Sequence, residues 1–331
     1  MNWQQVEPLL YKGQDVAIMV HERPDGDALG SALGLAIVLH TLGMSPRVLR
    51  VSPIDETFTF LPGQSFVEVV PRGELELPKN GAVMVLDCGD QERCEYFLGN
   101  KRPLVNADHH VTNPGFGIIN WVDPGAAATA ELLSRLFYED GITIPPEAAT
   151  CFYLALLTDT GWFHYPNVTW KTMAAASHLI RQGADLQLIR SRFGENHPVK
   201  ELRMMKEVMN RFRFILNDQV ILCSLPCEVM TKQDILTSET DRVFDVLKGT
   251  QGVEAAVLLK EVEPNLIKIS MRTKQVLNAS EIAGLLGGGG HVRAAGATFA
   301  GSLEAAETRI IEILSSRLAT PESGAAGTQA P

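Results

Sequence analysis

Cysteine is scarce here: five residues in 331, an odd number with no regular spacing. That excludes a disulfide framework and leads us to expect a reducing, cytoplasmic setting. Cys223-x3-Cys227 has no histidine or second cysteine pair nearby, so it is expected to be a buried core pair rather than a zinc site. No apolar stretch of 18 residues lacks charge, which excludes a membrane-spanning helix. The opening Met1-Asn2-Trp3-Gln4-Gln5 lacks the basic-then-apolar order of a signal peptide. Positive charge is also in deficit, with 29 Lys and Arg against 39 Asp and Glu and a net charge of −10. Gripping a long duplex through many phosphate contacts requires a basic surface, so that mode is excluded. There is no internal repeat. The sequons at Asn167 and Asn278 carry no weight in a cytosolic protein. With 45% hydrophobic residues, the chain is long enough for two domains, each with its own core.

What is present gathers at the ends of apolar runs. The run 16–20 reads as a buried strand and stops at His21-Glu22-Arg23-Pro24-Asp25-Gly26-Asp27, ahead of a helix pattern over 28–42. The strand candidate 82–86 ends on Asp87-Cys88-Gly89-Asp90, and 103–107 ends on Asp108-His109-His110. A helical segment over 148–157 runs into Thr158-Asp159-Thr160-Gly161. One aspartate after a strand is usually a turn former or cap. Four such sites, two of them carrying histidine, point to a metal centre where α/β folds place their chemistry. His21, Asp25, Asp27, Asp87, His109 and Asp159 offer four carboxylates and two imidazoles with no thiolate. That set is too oxygen-rich for structural zinc and too rich in nitrogen for a calcium or magnesium cage. It suits manganese first, with iron, cobalt or magnesium as alternatives. Six ligands fit two ions sharing a carboxylate. Such pairs sit about 3.5–4 Å apart and serve metal-assisted phosphoester hydrolysis.

The motif set His21-x3-Asp25-x-Asp27, Asp87, Asp108-His109-His110, Asp159 and Gly287-Gly288-Gly289-Gly290-His291-Val292-Arg293-Ala294-Ala295-Gly296 resembles the DHH phosphoesterase superfamily. The glycine-rich element is similar to that of its DHH-associated C-terminal domain. The resemblance spans about residues 15–318, and two-domain chains of this length resemble the NrnA-type nanoRNases, which also dephosphorylate 3′-phosphoadenosine 5′-phosphate (pAp). It implies one ion on His21, Asp25 and a bridging Asp87, and a second on Asp27, Asp87, His109 and Asp159. It further implies that His110 faces the scissile phosphate and that Asp108 orients the imidazoles. His291 and an arginine at the Arg272 position would hold the terminal phosphate.

Successive glycines let backbone N–H groups approach an anion closely. Gly288, Gly289 and Gly290, together with His291, Arg293 and Arg272, are therefore the expected substrate-binding set. Residues 1–195 carry a net charge of −9 and residues 196–319 a net charge of 0, which suits short substrates held at one end. The expected fold is α/β: a doubly wound, mainly parallel sheet over 1–195, a linker helix over 196–213, a smaller mixed α/β domain over 214–319 and a disordered tail over 320–331. The strands are expected near 16–20, 46–51, 82–86 and 103–107, then near 219–225, 254–262, 266–272 and 297–300. On the linker helix, Leu202, Met205, Val208, Met209 and Phe212 form an apolar stripe that packs on a domain or a second subunit, so a homodimer is among the expected assemblies.

The substrate is expected in a cleft between the domains, as short single-stranded RNA or nucleotides. The expected activity is degradation of short oligoribonucleotides to mononucleotides and removal of the 3′-phosphate of pAp. Hydrolysis of cyclic or linear dinucleotides, and non-catalytic nucleotide binding, are the alternatives. A pyrophosphatase with a similar metal half is set aside because its phosphate grip differs. Arg23 and His164 are candidate phosphate contacts, and Trp162 and Phe163 either stack a base or pack in the core.

Overall fold

The computed structural model describes residues 2–318, apart from 76, 78–79, 95, 97, 99–101, 196–198 and 233–240. The tail expected over 320–331 and part of the expected domain boundary lie outside the described residues. The chain divides into two compact units, Met1–Asn196 and His197–Pro331.

Unit 1 is built on a six-stranded sheet: β1 (Asp15–Met19), β2 (Ser45–Arg50), β3 (Val67–Val69), β4 (Ala82–Leu86), β5 (Val105–Asp108) and β6 (Ile119–Val122). The strand order is β3-β2-β1-β4-β5-β6, and every pairing is parallel. Val16, Ala17, Ile18 and Met19 are fully buried, as expected of a parallel strand covered on both faces. The order reverses between β1 and β4, where open α/β sheets form a crevice at the strand carboxyl ends. β3 and β6 were not expected from the sequence: each has only three or four residues, too short for an alternation to register.

Four helices, α1 (Gly26–Thr41), α2 (Thr129–Glu139), α3 (Pro146–Asp159) and α4 (Trp170–Arg181), complete the main core, with the short α5 (Leu186–Ile189) after them. Every residue of α1 from Gly26 to Leu39 is buried. Its glycines let α3 approach: a Cβ on Gly30 would lie 2.5 Å from the Cys151 carbonyl oxygen, and one on Gly34 would lie 2.5 Å from the Phe152 ring. The other sheet face is covered by a smaller cluster that includes Met19, Leu49, Val85, Cys88, Cys94 and Tyr96.

Unit 2 contains α6 (Val199–Arg211), β7 (Arg213–Ile215), β8 (Val220–Leu225), α7 (Cys227–Lys232), α8 (Asp241–Gly249), β9 (Ala255–Glu263), β10 (Leu266–Thr273), α9 (Ala279–Gly284), β11 (Gly289–His291), β12 (Ala294–Ala300) and α10 (Leu303–Leu318). Its sheet order is β11-β12-β10-β9-β8-β7, antiparallel except for the parallel β8–β9 pair. Two expectations change here. The linker helix packs into the unit's own core through Met205, Val208 and Phe212 of the expected stripe, joined by Met204, whereas Leu202 is 69% exposed and leaves the stripe. Cys223 is buried but Cys227 is half-exposed, with its sulfur facing the Thr231 hydroxyl, so these two do not form a core pair. In the glycine run, Gly289–His291 forms an edge strand on β12, whose small residues admit a second backbone.

Candidate metal centre

Local chemistry sets each side chain in place first. Asp25 caps α1, its carboxylate accepting from the amides of Asp27 and Ala28, both at 3.1 Å. This cap aims Asp27 from the first turn of α1 into the crevice. α2 begins at Thr129 after Ala128, which has no capping side chain, and the buried Asp27 carboxylate takes that place. Asp27 accepts from the amides of Thr129 at 2.6 Å and Ala130 at 3.1 Å, and from the Ser31 hydroxyl at 3.0 Å. A carboxylate at a helix N-terminus is favoured by the helix dipole. Asp87 follows β4 with φ at 53°, a left-handed conformation that turns its carboxylate toward the same crevice, where it accepts from the Thr129 hydroxyl at 3.1 Å.

The imidazoles converge on these carboxylates. His21 Nε2 lies 3.6 Å from Asp87 Oδ2 and 3.9 Å from Asp25 Oδ1. His109 Nε2 lies 3.3 Å from Asp159 Oδ2, 3.5 Å from Asp87 Oδ1 and 3.8 Å from Asp27 Oδ2. In each ring the other nitrogen is tied to a backbone carbonyl: His21 Nδ1 donates to Glu22 O at 2.7 Å and His109 Nδ1 to Ala126 O at 3.3 Å. That arrangement holds a proton on Nδ1, so Nε2 is the atom a metal would take on displacing its proton. His110 is oriented differently. Its Nδ1 lies 2.7 Å from Asp108 Oδ1, leaving Nε2 for whatever enters the crevice. Asp108 touches the ring of His110 only; its contact with His109 is to the backbone amide, at 2.8 Å. The expected orientation of both imidazoles by Asp108 is thereby corrected, Ala126 holding the other ring.

Three sets of side chains each bring ligand atoms within 4.8 Å of one another: His21, Asp25 and Asp87; Asp27, His109 and Asp159; and Asp87, His109 and His110. These sets are able to hold metal, and their electrostatics call for a cation. Burial, together with the neighbouring Asp87 and Asp159 charges, holds the Asp27 carboxyl well above the usual carboxylate range. Burial also raises Asp159. Burial opposes charge on both histidines, but hydrogen bonds with Asp25 and Asp87 push His21 up to about 9. Those with Asp159 and Asp87 push His109 up to about 11. Four carboxylates thus crowd two imidazoles that carry protons where a cation would sit.

Residues 15–156 match the model of the DHH family, N-terminal domain, and residues 217–320 match the DHHA1 domain. A protein of Thermus thermophilus named bifunctional oligoribonuclease and PAP phosphatase NrnA is 32% identical over 311 residues, 92% of this chain and 90% of that protein. The chain belongs to the DHH family. A Bacillus subtilis DHH relative of the same name is 30% identical over 292 residues, covering 84% of this chain and 87% of its own. An exopolyphosphatase-related protein from Bacteroides fragilis, 24% identical, superimposes with a TM-score of 0.81 over 95% of both chains and so shares the fold.

In this DHH chain the expected substrate-binding residues lie together on unit 2. Arg272 on β10 pairs with Ala294 on β12, which pairs with His291 on β11. The three stand in one row of the sheet, and residues in direct register share a face. Arg272 lies over the Phe244 ring, 4.9 Å from its centroid. Arg293 instead donates to the Leu277 carbonyl at 3.0 Å. Gly288, Gly289 and Gly290 are exposed, and Gly288 leaves no room for a side chain: a Cβ there would lie 2.1 Å from the Gly296 carbonyl oxygen. His164 and Arg23 are exposed, the former tied to the Gly161 carbonyl at 3.1 Å. Trp162 stacks on Phe193 but stays 40% exposed, whereas Phe163 packs edge-on against Tyr153 at the core.

Sequence reading missed Thr129, Asn113 and Ala126. Thr129 joins Asp27 to Asp87, and Asn113 donates to Asp108 at 2.6 Å. A threonine opening a helix without a capping side chain was the only available signal.

Proposed function

We propose that this chain is a metal-dependent phosphoesterase that degrades short oligoribonucleotides to mononucleotides and removes the 3′-phosphate of pAp. The observation that carries this reading is the shared use of Asp87 and His109 by neighbouring sets of ligand atoms, an arrangement suited to two ions rather than one. His21, Asp25 and Asp87 would hold the first, and Asp27, Asp87, His109 and Asp159 the second, manganese being the expected metal. When bound, such a pair polarises phosphoryl oxygens and makes water a stronger nucleophile.

The protein's own groups do the rest. Hydrogen bonding to Asp108 raises the His110 pKa and holds the ring, so its Nε2 is a proton donor to a phosphoryl or leaving-group oxygen. Thr129 and the α2 amides keep Asp27 and Asp87 from turning away. On unit 2, Arg272 and His291 would grip the terminal phosphate, and the exposed glycines let backbone approach it. The names of the Thermus thermophilus and Bacillus subtilis relatives support both substrates. The test is turnover in manganese of pAp, a five-nucleotide RNA, a linear diadenylate, cyclic di-AMP and pyrophosphate, side by side. Hydrolysis of pAp and the short RNA is expected to dominate. Dinucleotide turnover without pAp turnover would overturn the assignment, and no turnover at all would leave only nucleotide binding.

A further inference from the structure

Cys88 directly follows Asp87, and Cys94 forms an antiparallel backbone bridge with His21, reinforced by the Glu22 amide donating to the Arg93 carbonyl at 3.0 Å. Their sulfurs lie 2.7 Å apart in the small cluster on the second sheet face. Both thiols point at the Asp90 carbonyl oxygen, at 3.1 Å from Cys88 and 3.6 Å from Cys94. The Cys88 carbonyl accepts from Asn113, which also holds Asp108. Two thiols therefore join the two backbone segments that present His21 and Asp87. The other cysteines have no such neighbour: Cys151 and Cys223 face the Pro62 and Val208 carbonyls, and Cys227 faces Thr231.

We propose that Cys88 and Cys94 are a reversible redox modification site, closed to a disulfide by an oxidant of the hydroperoxide class, and that the disulfide braces His21 against Asp87. Formation of the disulfide is independent of the function proposed above; only its effect on metal retention rests on His21 and Asp87 being ligands. A disulfide needs sulfurs about 2.05 Å apart, a small movement from their present separation. The pair is buried beneath the turn Gln91–Arg93, where Glu92 and Arg93 are exposed, so a short local opening admits a small peroxide.

One sulfur attacks the peroxide: an S–O bond forms, the O–O bond breaks, and the thiol proton leaves with the alcohol. The second sulfur then attacks the sulfenic sulfur: the S–S bond forms, the S–O bond breaks, and water leaves with the second thiol proton. Two thiols lose two electrons and the peroxide gains them. In a reducing compartment such a disulfide is transient, which suits sensing rather than scaffolding.

The test uses the full chain loaded with manganese and treated with one equivalent of hydrogen peroxide, then alkylated under denaturing conditions and mapped by mass spectrometry. A Cys88–Cys94 link lighter by two hydrogens is expected, reversed by dithiothreitol, with the other three cysteines alkylated. Manganese release to EDTA should slow several-fold on oxidation, and in Cys94→Ser it should not respond to peroxide. Alkylation of both thiols after peroxide, or a link to another cysteine, would overturn the proposal. A disulfide that leaves manganese release unchanged would overturn the brace. A chain that binds no manganese while reduced would overturn the proposed function instead, leaving the mapped link standing.

Discussion

In unit 1, Asp27, Asp87 and Asp108 are buried, and their carboxylates are held by amides and side chains from other elements. In unit 2, Gly288, Gly289, Gly290, His291 and Arg293 are all exposed, and Arg272 is half-buried over an aromatic ring. The first arrangement confines anionic groups away from water, where uncompensated charge is costly, and so demands a cation and a rigid frame. The second keeps donors exposed near the β11 edge of the sheet, where a charged substrate end would be met at little desolvation cost. Cutting and gripping have different physical requirements, and the function proposed above assigns them to different units.

The largest expected effect comes from Asp87→Ala, which removes the carboxylate common to both proposed ions. Hydrolysis of every substrate should fall by about a thousandfold or more. Activity above roughly a tenth of wild type in saturating manganese would show that Asp87 is only a turn residue. Arg272→Ala or His291→Ala should instead spare both metals. Loss of one charge-assisted contact predicts a drop of about 10- to 150-fold in kcat/KM on pAp, with far less on bis-p-nitrophenyl phosphate. Equal losses on both substrates would break the division between gripping and cutting. Thr129→Val deletes only the hydroxyl that steadies Asp87, and manganese affinity measured by titration should weaken by about 10- to 100-fold.

Proton competition should separate the units further. His21 and His109 of the metal-free protein lose their protons near 9 and 11, so below pH 9 a metal must displace both. Raising the pH lowers that cost, so manganese affinity should rise by about tenfold or more per unit on approaching pH 9, with protons released on binding. Isothermal titration in buffers of different ionisation enthalpy counts those protons, and a pH-independent affinity would contradict the cluster's electrostatics. The smallest effect concerns packing alone. Gly30→Ala places a Cβ against the Cys151 carbonyl and should destabilise unit 1 by about 1–3 kcal/mol, read as a lower unfolding midpoint.

Much of unit 1 was legible because its signals are local. A strand covered on both faces reads as an unbroken apolar run, and the residues that stop it are the ones brought to the crevice: His21 and Asp25 after β1, Asp87 after β4, and His109 and His110 after β5. Unit 2 was less legible. A glycine run carries no hydrophobic period, so β11 gave no strand signal, and its pairing depends on the small residues of β12. The stripe on α6 was legible through Met205, Val208 and Phe212, but Leu202, Met204 and Met209 offer a second overlapping apolar face, and only contact with the core selects Met204 over Leu202 and Met209.

The sequence by itself determined the donor types, their order along the chain and their positions at element ends, because burial of apolar runs and turn chemistry act over a few residues. Tertiary structure decided which donors meet. Thr129 reaches Asp87 across 42 positions and Asp27 across 102, and Asp27 caps a helix to which it does not belong. Such contacts depend on the order in which strands assemble, and that order is set by packing between distant segments rather than by any local preference.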